Sequence, residues 1–174
     1  MAVYKETIQL ETKKDAVTYI NITEQVRDIV CRSGIREGIC AVISPHTTCS
    51  VIFEEFVHDY LDNGNEYLQE DLNNILDKII PQQKDWDTYY YPGERHFEEC
   101  SKWPNIEEML PGGDRTLLWN CDAHLRSSFF GASEVFEVSE GNLGFGITGS
   151  VYFVDFDRAQ ARKRKCKIVI MGDK

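Results

Sequence analysis

Three of the four histidines in this 174-residue chain stand where an imidazole could meet a ligand. His46 follows the apolar run 39–43 in the sequence SPHTT, and His124 follows the mostly apolar run 116–119 in the sequence DAHLRSS. His96 lies in a segment rich in tyrosine, proline and glycine. Strands that end in polar loops hold side chains rigidly, and imidazoles there can bind a metal ion or a phosphate group. These positions predict a ligand site.

Hydroxyl and guanidinium groups accompany two of these histidines. Thr47 and Thr48 offer hydroxyls and backbone N–H groups beside His46, in a turn that could receive a phosphate. Arg126 falls in the first turn of a predicted short helix, where its guanidinium could bind a phosphate. Ser127 and Ser128 follow it and could add hydroxyls to the same phosphate site, or could serve only the start of the helix.

The overall composition excludes several classes of partner. A net charge of −10 argues against nucleic acid, which a protein binds through a basic surface. No apolar run approaches the ~20 residues of a membrane span, and segment 1–10 lacks the pattern of a signal peptide, so we expect a cytoplasmic protein without membrane contact. The basic cluster 158–167 is interpreted as a solvated turn, with a rim that attracts anionic substrates as the alternative.

The six cysteines show no CxxC pair and no regular spacing. Several lie inside apolar runs, where a free cysteine behaves as a small hydrophobic residue. We therefore expect reduced thiols in a reducing compartment. Cys121, three residues before His124, is a candidate nucleophile, although no oxyanion donor or orienting group can be assigned to it.

Hydrophobic periodicity predicts an α+β domain spanning 1–174. Strands at 4–11 and 16–22 are expected to form a hairpin around 13–15, and Thr23 is expected to N-cap a helix that Gly34 ends. Residues 81–114 are predicted as a long loop. Further strands are predicted at 39–44, 49–53, 115–119, 134–138, 149–157 and 165–171, and further helices at 65–80 and 123–130. This order predicts a mostly antiparallel sheet or sandwich with a few helices.

Four segments of the chain resemble the YjbQ family, whose members are described as secondary thiamine-phosphate synthases. The resemblance runs along most of the chain, and its matching strings are ITEQVRDIVCRSGIREG, SPHTTCSVIFEE, DAHLRSSFFGAS and GSVYFVDFD. The resemblance implies a small α+β domain that assembles as a homotrimer. It also implies sites near the subunit interfaces and a metal ion held by a histidine cluster.

The resemblance also implies roles for individual residues. His46, His96 and His124 correspond to the family's histidines and would hold a divalent metal ion, with zinc preferred and magnesium as the alternative. His46, His124 and Glu55 would be the catalytic residues. The alternative for each histidine is a hydrogen bond to a loop carbonyl, and for Glu55 a solvated carboxylate at a strand end.

The implied activity joins two small phosphorylated metabolites. A thiazole phosphate attacks the methylene carbon of a pyrimidine diphosphate, and the diphosphate leaves, which requires stabilised charge and two positioned partners. Two departures from the family pattern bear on this activity. Segment 146–150 lacks the usual Trp-Gln pair, and segments 57–66 and 82–111 are longer than usual. Metal-dependent hydrolysis of a small metabolite and non-catalytic binding of a metal or metabolite are therefore kept as alternatives.

Overall fold

The computed structural model describes residues 1–174 and contains eight strands and five helices. The strands are β1 (Ala2–Glu11), β2 (Thr18–Asn21), β3 (Glu37–Ile43), β4 (Cys49–Glu55), β5 (Ser133–Ser139), β6 (Asn142–Leu143), β7 (Gly149–Asp155) and β8 (Lys163–Asp173). The helices are α1 (Thr23–Ser33), α2 (Tyr67–Ile79), α3 (Glu94–Cys100), α4 (Ile106–Met109) and α5 (Cys121–Phe130). The predicted α+β class is confirmed.

The strands form two antiparallel sheets. The larger sheet has the order β1-β8-β3-β5-β6, and the smaller has the order β2-β7-β4. The main core contains 17 buried hydrophobic residues, from both sheets and from α1. A second core includes side chains of β7 together with Leu76 of α2 and Ala123 of α5. Strand β7 contributes to both cores, which is why its sequence is apolar at consecutive positions.

The predicted hairpin between the first two strands is wrong. Strand β1 pairs along all ten of its residues with β8, whereas β2 pairs with β7 in the other sheet. A four-residue β2 could offer β1 only a short ladder, so pairing with the long β8 satisfies many more backbone groups. The connection from β1 crosses between sheets at Asp15, whose N–H donates to the Arg158 carbonyl.

Of the two predictions for the ends of the first helix, the one for its start is wrong and the one for its end is confirmed. Ile22, not Thr23, is the N-cap of α1, and the Thr23 hydroxyl accepts a hydrogen bond from the Val151 N–H instead. Gly34 ends α1 as predicted, with a φ of 66° in the left-handed region that favours glycine. The tertiary contact with β7 therefore takes the hydroxyl that the sequence pattern assigns to the helix cap.

The predicted long loop contains structure of its own. Helices α3 and α4 form within it, and the strand predicted at 115–119 is instead a 3₁₀ helix over Arg115–Leu118. The Asp114 side chain accepts from the Thr116 N–H and caps this turn, which outweighs the β preference of a short apolar run. None of the helices, of which the longest has 13 residues, is long and apolar enough to cross a membrane.

Candidate functional site

A cavity of about 340 Å³ lies where the β3–β4 turn, α3, the start of α5 and the β7–β8 connection meet. The structure brings His46, His96 and His124 to this one cavity, although they are far apart in sequence. The other lining residues are Pro45, Thr47, Thr48, Tyr91, Cys100, Trp103, Met109, Leu118, Asn120, Asp157, Arg162 and Arg164. Its walls are therefore mixed, with apolar side chains beside imidazoles, hydroxyls and ion pairs.

The β3–β4 turn and strand β8 together orient His46. Its backbone N–H donates to the Ser44 hydroxyl, and its ring Nε2 accepts a hydrogen bond of 2.9 Å from the backbone N–H of Lys165. Because Nε2 is an acceptor there, the neutral ring carries its proton on Nδ1. Burial, and then the nearby Arg164 guanidinium, lowers the pKa of His46. His46 is thus a neutral hydrogen-bond donor at pH 7.

The first turn of α5 presents His124 to the same cavity. Its ring makes a hydrogen bond with the backbone of Thr47, and the Tyr91 ring packs against it edge-on at 5.4 Å. Burial lowers the pKa of His124, and this outweighs the opposite effects of the Thr47 backbone and Asp157. Since the carbonyl of Thr47 accepts from one ring nitrogen, the other ring nitrogen of neutral His124 can accept a proton.

His96 lines the cavity from the short helix α3. Its Nε2 is 3.2 Å from the Tyr91 hydroxyl and 3.4 Å from Cys100 Sγ. Burial raises the pKa of Tyr91 to about 12 and also raises the pKa of Cys100, so both groups keep their protons at neutral pH. His96 is therefore hydrogen-bonded within its own segment.

The predicted three-histidine metal centre does not fit this arrangement. No three histidine, cysteine, aspartate or glutamate side chains are grouped so that they could hold a metal ion. The Nε2 lone pair of His46 faces the Lys165 N–H, and Nε2 of His96 faces Tyr91 and Cys100. A metal ligand needs a free lone pair aimed at the ion. The three rings line one cavity, but no three ligating side chains there are grouped so that they could share one metal ion.

A buried ion pair lies behind the β3–β4 turn. Arg164 donates from two nitrogens to the two oxygens of Asp155, at 2.7 and 3.1 Å, and from Nη2 to the Thr48 hydroxyl at 3.1 Å. Asp155 is fully buried, and its Oδ2 also accepts from the Thr12 hydroxyl. A carboxylate at such depth stays charged only when its partners are in place. This pair therefore fixes both Thr48 and the turn that carries His46.

A second buried carboxylate belongs to the cavity wall. Asp157 accepts from the Ala159 N–H, from Arg162 Nε at 3.1 Å and from Asn120 Nδ2 at 3.4 Å. The ion pair with Arg162 uses only Nε, and the two terminal nitrogens of that guanidinium make no hydrogen bond within the chain. Arg162 can therefore donate to a ligand without breaking its ion pair.

The role of these arginines and aspartates was not predicted from the sequence, because the basic cluster 158–167 was interpreted as a solvated turn. That interpretation is wrong for the arginines: Arg158 and Arg162 are half-buried and Arg164 is buried, while Lys163 and Lys165 are exposed. The alternation along β8 sends every second residue inward. Asp155 and Asp157 are two positions apart, and so are Arg162 and Arg164, which follow them in the chain. This matched spacing is the sequence signal that could have identified the ion pairs.

The structure does not bring Arg126 and Ser127 to the cavity. Arg126 is fully buried on the far side of α5, where it donates to Asp77 and to the Ile80 carbonyl. A residue two positions after His124 lies about 200° around a helix from it, so the two side chains face opposite ways. The Ser127 hydroxyl donates to the Cys49 carbonyl and holds α5 against β4. The prediction that Arg126 binds phosphate here is contradicted by this geometry.

Ser128 and Glu55 also lie outside the cavity. Ser128 is exposed, and Glu55 is exposed at the end of β4, opposite Gly149. Glu55 lies six residues along the strand from Cys49, a distance of ~20 Å from the β3–β4 turn. Among the predicted phosphate ligands, Thr47 and Thr48 do line the cavity.

The fold and the cavity define a class of protein: an α+β domain of two antiparallel sheets with a pocket of histidines and paired arginines at one end. The family model described as "UPF0047 protein YjbQ-like" matches residues 6–173. The chain belongs to this family.

The alignments with two relatives cover almost the whole length of both proteins in each pair. A UPF0047 protein of Archaeoglobus fulgidus is 30% identical over 156 residues, which cover 90% of this chain and 94% of that protein. The UPF0047 protein YugU of Bacillus subtilis is 28% identical, with 96% and 98% covered.

Solved structures agree on the fold. A YbjQ-like protein of unknown function from Sulfolobus solfataricus P2 has a TM-score of 0.67 at 22% identity, with 99% of this chain and 100% of that chain covered. A yjbq/upf0047 family protein of Clostridium acetobutylicum has a TM-score of 0.65 at 24% identity, with 94% and 99% covered.

Proposed function

We propose that the histidine-lined cavity binds a small phosphorylated metabolite and catalyses a transfer reaction on it. The observation that carries this proposal is the convergence of His46, His124 and Arg162 on one cavity. These side chains come from three separate parts of the chain. Their position around a common space provides hydrogen-bond donors for an anion and a nitrogen that can accept a proton.

The phosphate would be recognised by individual hydrogen-bond donors of the cavity wall more than by the net charge of that wall. Arg162 and Arg164 are each paired with a buried aspartate, so the wall they form is close to neutral. The free terminal nitrogens of Arg162 and the Nδ1–H of His46 can each donate to a phosphate oxygen. Such a site can bind a phosphate although the chain as a whole carries a net charge of −10.

The transfer reaction that fits the family resemblance is the condensation of a pyrimidine diphosphate with a thiazole phosphate. The thiazole nitrogen forms a bond to the methylene carbon while the bond from that carbon to the diphosphate oxygen breaks. The diphosphate leaves with the electron pair, and donors such as Arg162 and His46 stabilise its charge. No general base is needed, because the thiazole nitrogen already has a lone pair.

Hydrolysis of a phosphorylated metabolite is the second candidate, and the size of the cavity favours it. A volume of about 340 Å³ is at the lower end for ligand sites and has room for one small metabolite. In hydrolysis the second reactant is water, and the free ring nitrogen of His124 could take its proton. Binding without catalysis would need only the phosphate donors.

One incubation series separates these candidates. The protein is mixed with the two thiamine precursors together and with each alone, and thiamine phosphate, diphosphate and inorganic phosphate are measured. His46→Gln and His124→Gln should each lower turnover about 100-fold. Ser128→Ala, an exposed change on the same helix as His124, is the matched control and should leave turnover unchanged. If the wild-type protein forms no product in any of these mixtures, only binding without catalysis remains.

The divalent metal ion implied by the resemblance is not used in these steps, because no three metal-ligating side chains are grouped so that they could hold one. Metal analysis of protein purified without a histidine tag tests this point. Zinc at one ion per chain, lost in His46→Gln, would overturn the metal-free scheme.

The homotrimer implied by the resemblance is also retained as a proposal. Its support is that several large apolar side chains are exposed, among them Phe129 at 68%, Val135 at 58% and Ile147 at 99%. Light scattering during size-exclusion chromatography measures the assembly directly. A mass of one chain, 20.1 kDa, would refute it.

A further inference from the structure

The rest of the domain covers only one face of helix α2. On that face Gln69 and Leu76 are buried, at 3% and 1% exposed, and Asn73 accepts a hydrogen bond of 2.9 Å from the Tyr19 hydroxyl. These three helix residues are spaced by four and three positions, so they lie in one row along the helix. This row holds α2 against the second core and strand β2.

A second row of residues on α2 is apolar but largely uncovered. It consists of Leu68, Leu72, Ile75 and Ile79, whose spacing of four, three and four positions places them along one side of the helix. Leu72 is partly buried and packs against the second core. The exposed fractions of Leu68, Ile75 and Ile79 are 39%, 54% and 58%. This spacing is typical of a helix face that packs against another helix, and we call these four residues the α2 stripe.

Two residues of opposite charge border the α2 stripe on its exposed side. Asp71 and Lys78 are exposed, and neither forms an ion pair within the chain. Glu70 and Asp77 lie about half a turn around the helix from the stripe, where Asp77 pairs with Arg126. The border of the stripe therefore carries one negative charge toward the start of the helix and one positive charge in its last turn.

We propose that α2 pairs with α2 of a second copy of this chain, antiparallel and about a two-fold axis midway between residues 73 and 74. This axis places Leu68 opposite Ile79 of the second copy, and Leu72 opposite Ile75 of the second copy. Asp71 comes within about 3 Å, along the helix axis, of Lys78 of the second copy. The two-fold symmetry repeats each of these contacts. The pairing does not depend on the proposed function.

The charges favour an antiparallel second copy over other occupants of the α2 stripe. In a parallel pair, Asp71 would face Asp71 and Lys78 would face Lys78, and the two helix dipoles would point the same way. The antiparallel pair places opposite charges together and opposes the dipoles. An anionic membrane surface would need a basic helix face, whereas Lys78 is the one basic residue of the helix. The stripe and its border are thus complementary to themselves.

The contact is small, which determines how the pairing should behave. Four apolar residues over about three turns bury less than the ~800 Å² per partner of a standard interface. We therefore expect the pair to form at high protein concentration and to dissociate on dilution. The homotrimer proposed above closes about a three-fold axis, which cannot contain a two-fold contact. The expected mass is two chains if only the α2 contact forms, and six chains if both contacts form.

Sedimentation equilibrium over a wide range of protein concentrations tests the pairing. The mass of the wild type should rise with concentration toward twice its value at high dilution. Ile75→Gln removes an apolar side chain on both sides of the axis and should weaken the association about 100-fold. Val3→Gln changes a side chain of similar exposure, 56%, on strand β1. This matched control should associate like the wild type.

An exchange of charges tests the antiparallel arrangement. Lys78→Glu brings like charges together at both ends of the contact and should weaken the association about 10-fold. The double variant Asp71→Lys/Lys78→Glu restores opposite charges and should regain most of the lost affinity. Lys5→Glu makes the same change in net charge on strand β1, where the side chain is exposed, and should have no effect. Urea unfolding of each variant verifies that the fold is intact.

Several results would overturn the α2 pairing. A wild-type mass that stays constant with concentration would do so and would leave the stripe to a partner of different sequence. A mass that rises to three chains and no further would also count against it. Association that persists unchanged in Ile75→Gln, or that the double charge variant does not regain, would show that α2 does not form this contact. The wild-type measurement needs no variant, so a variant that fails to fold would not remove the test.

Discussion

Glu54 of strand β4 is partly buried and contacts α2 in a way that should make stability depend on pH. Gln69 of that helix donates to it at 3.4 Å, and Glu66 lies close enough to disfavour a second negative charge. Burial, the largest effect, raises the pKa of Glu54 from its ordinary value of 4.5 to about 7. Glu54→Gln keeps the shape of the side chain and removes the ionisation.

The sign and size of the effect follow from proton linkage. Between pH 4.5 and 7 the unfolded chain releases this proton while the folded chain keeps it, so the free energy of unfolding falls as the pH rises. One pKa unit corresponds to 1.36 kcal/mol, which sets an upper limit of about 3 kcal/mol. Because Glu54 is partly exposed, solvent screening reduces the expected effect to ~1–2 kcal/mol.

Urea unfolding at pH 5, 6, 7 and 8 measures this effect. Relative to the wild type, Glu54→Gln should gain ~1–2 kcal/mol of unfolding free energy between pH 5 and pH 8. Glu55→Gln changes the exposed neighbour on the same strand and serves as the matched control. If Glu54→Gln differs from the wild type by a constant amount across this range, the assignment of a raised pKa is refuted.

Three further predictions concern the histidine cavity and its supports. Because burial lowers the pKa of His124, whose second ring nitrogen can accept a proton, His124 gains a proton when an anion binds. Calorimetry should therefore show sulfate affinity rising as the pH falls from 8 to 6; a flat profile would contradict this. Asp155→Asn should destabilise the fold by ~3–5 kcal/mol in urea unfolding, because Arg164 loses its charge partner; a loss under about 1 kcal/mol would show that the pair is dispensable. Arg126→Gln should lower the urea midpoint but leave sulfate affinity unchanged, since the side chain faces away from the cavity; weakened sulfate binding would restore it as a ligand.

The sequence was sufficient to identify the candidate histidines but not their roles. Their positions after apolar runs placed His46 and His124 at the ends of ordered elements, and the structure has both beside one cavity. The role of His46 depends on the Lys165 N–H, which lies 119 residues away in the chain. A hydrogen bond between elements so distant in sequence leaves no local pattern, so the ring orientation was not predictable.

The family, the α+β class and the stop signal at Gly34 were determined by the sequence alone, because motif strings, periodicity and glycine geometry are local properties. Only the tertiary structure decided that β1 pairs with β8, and that Nε2 of His46 accepts from the Lys165 N–H. Such pairing depends on competition among distant segments for the same hydrogen bonds, and a single sequence does not record which segment wins.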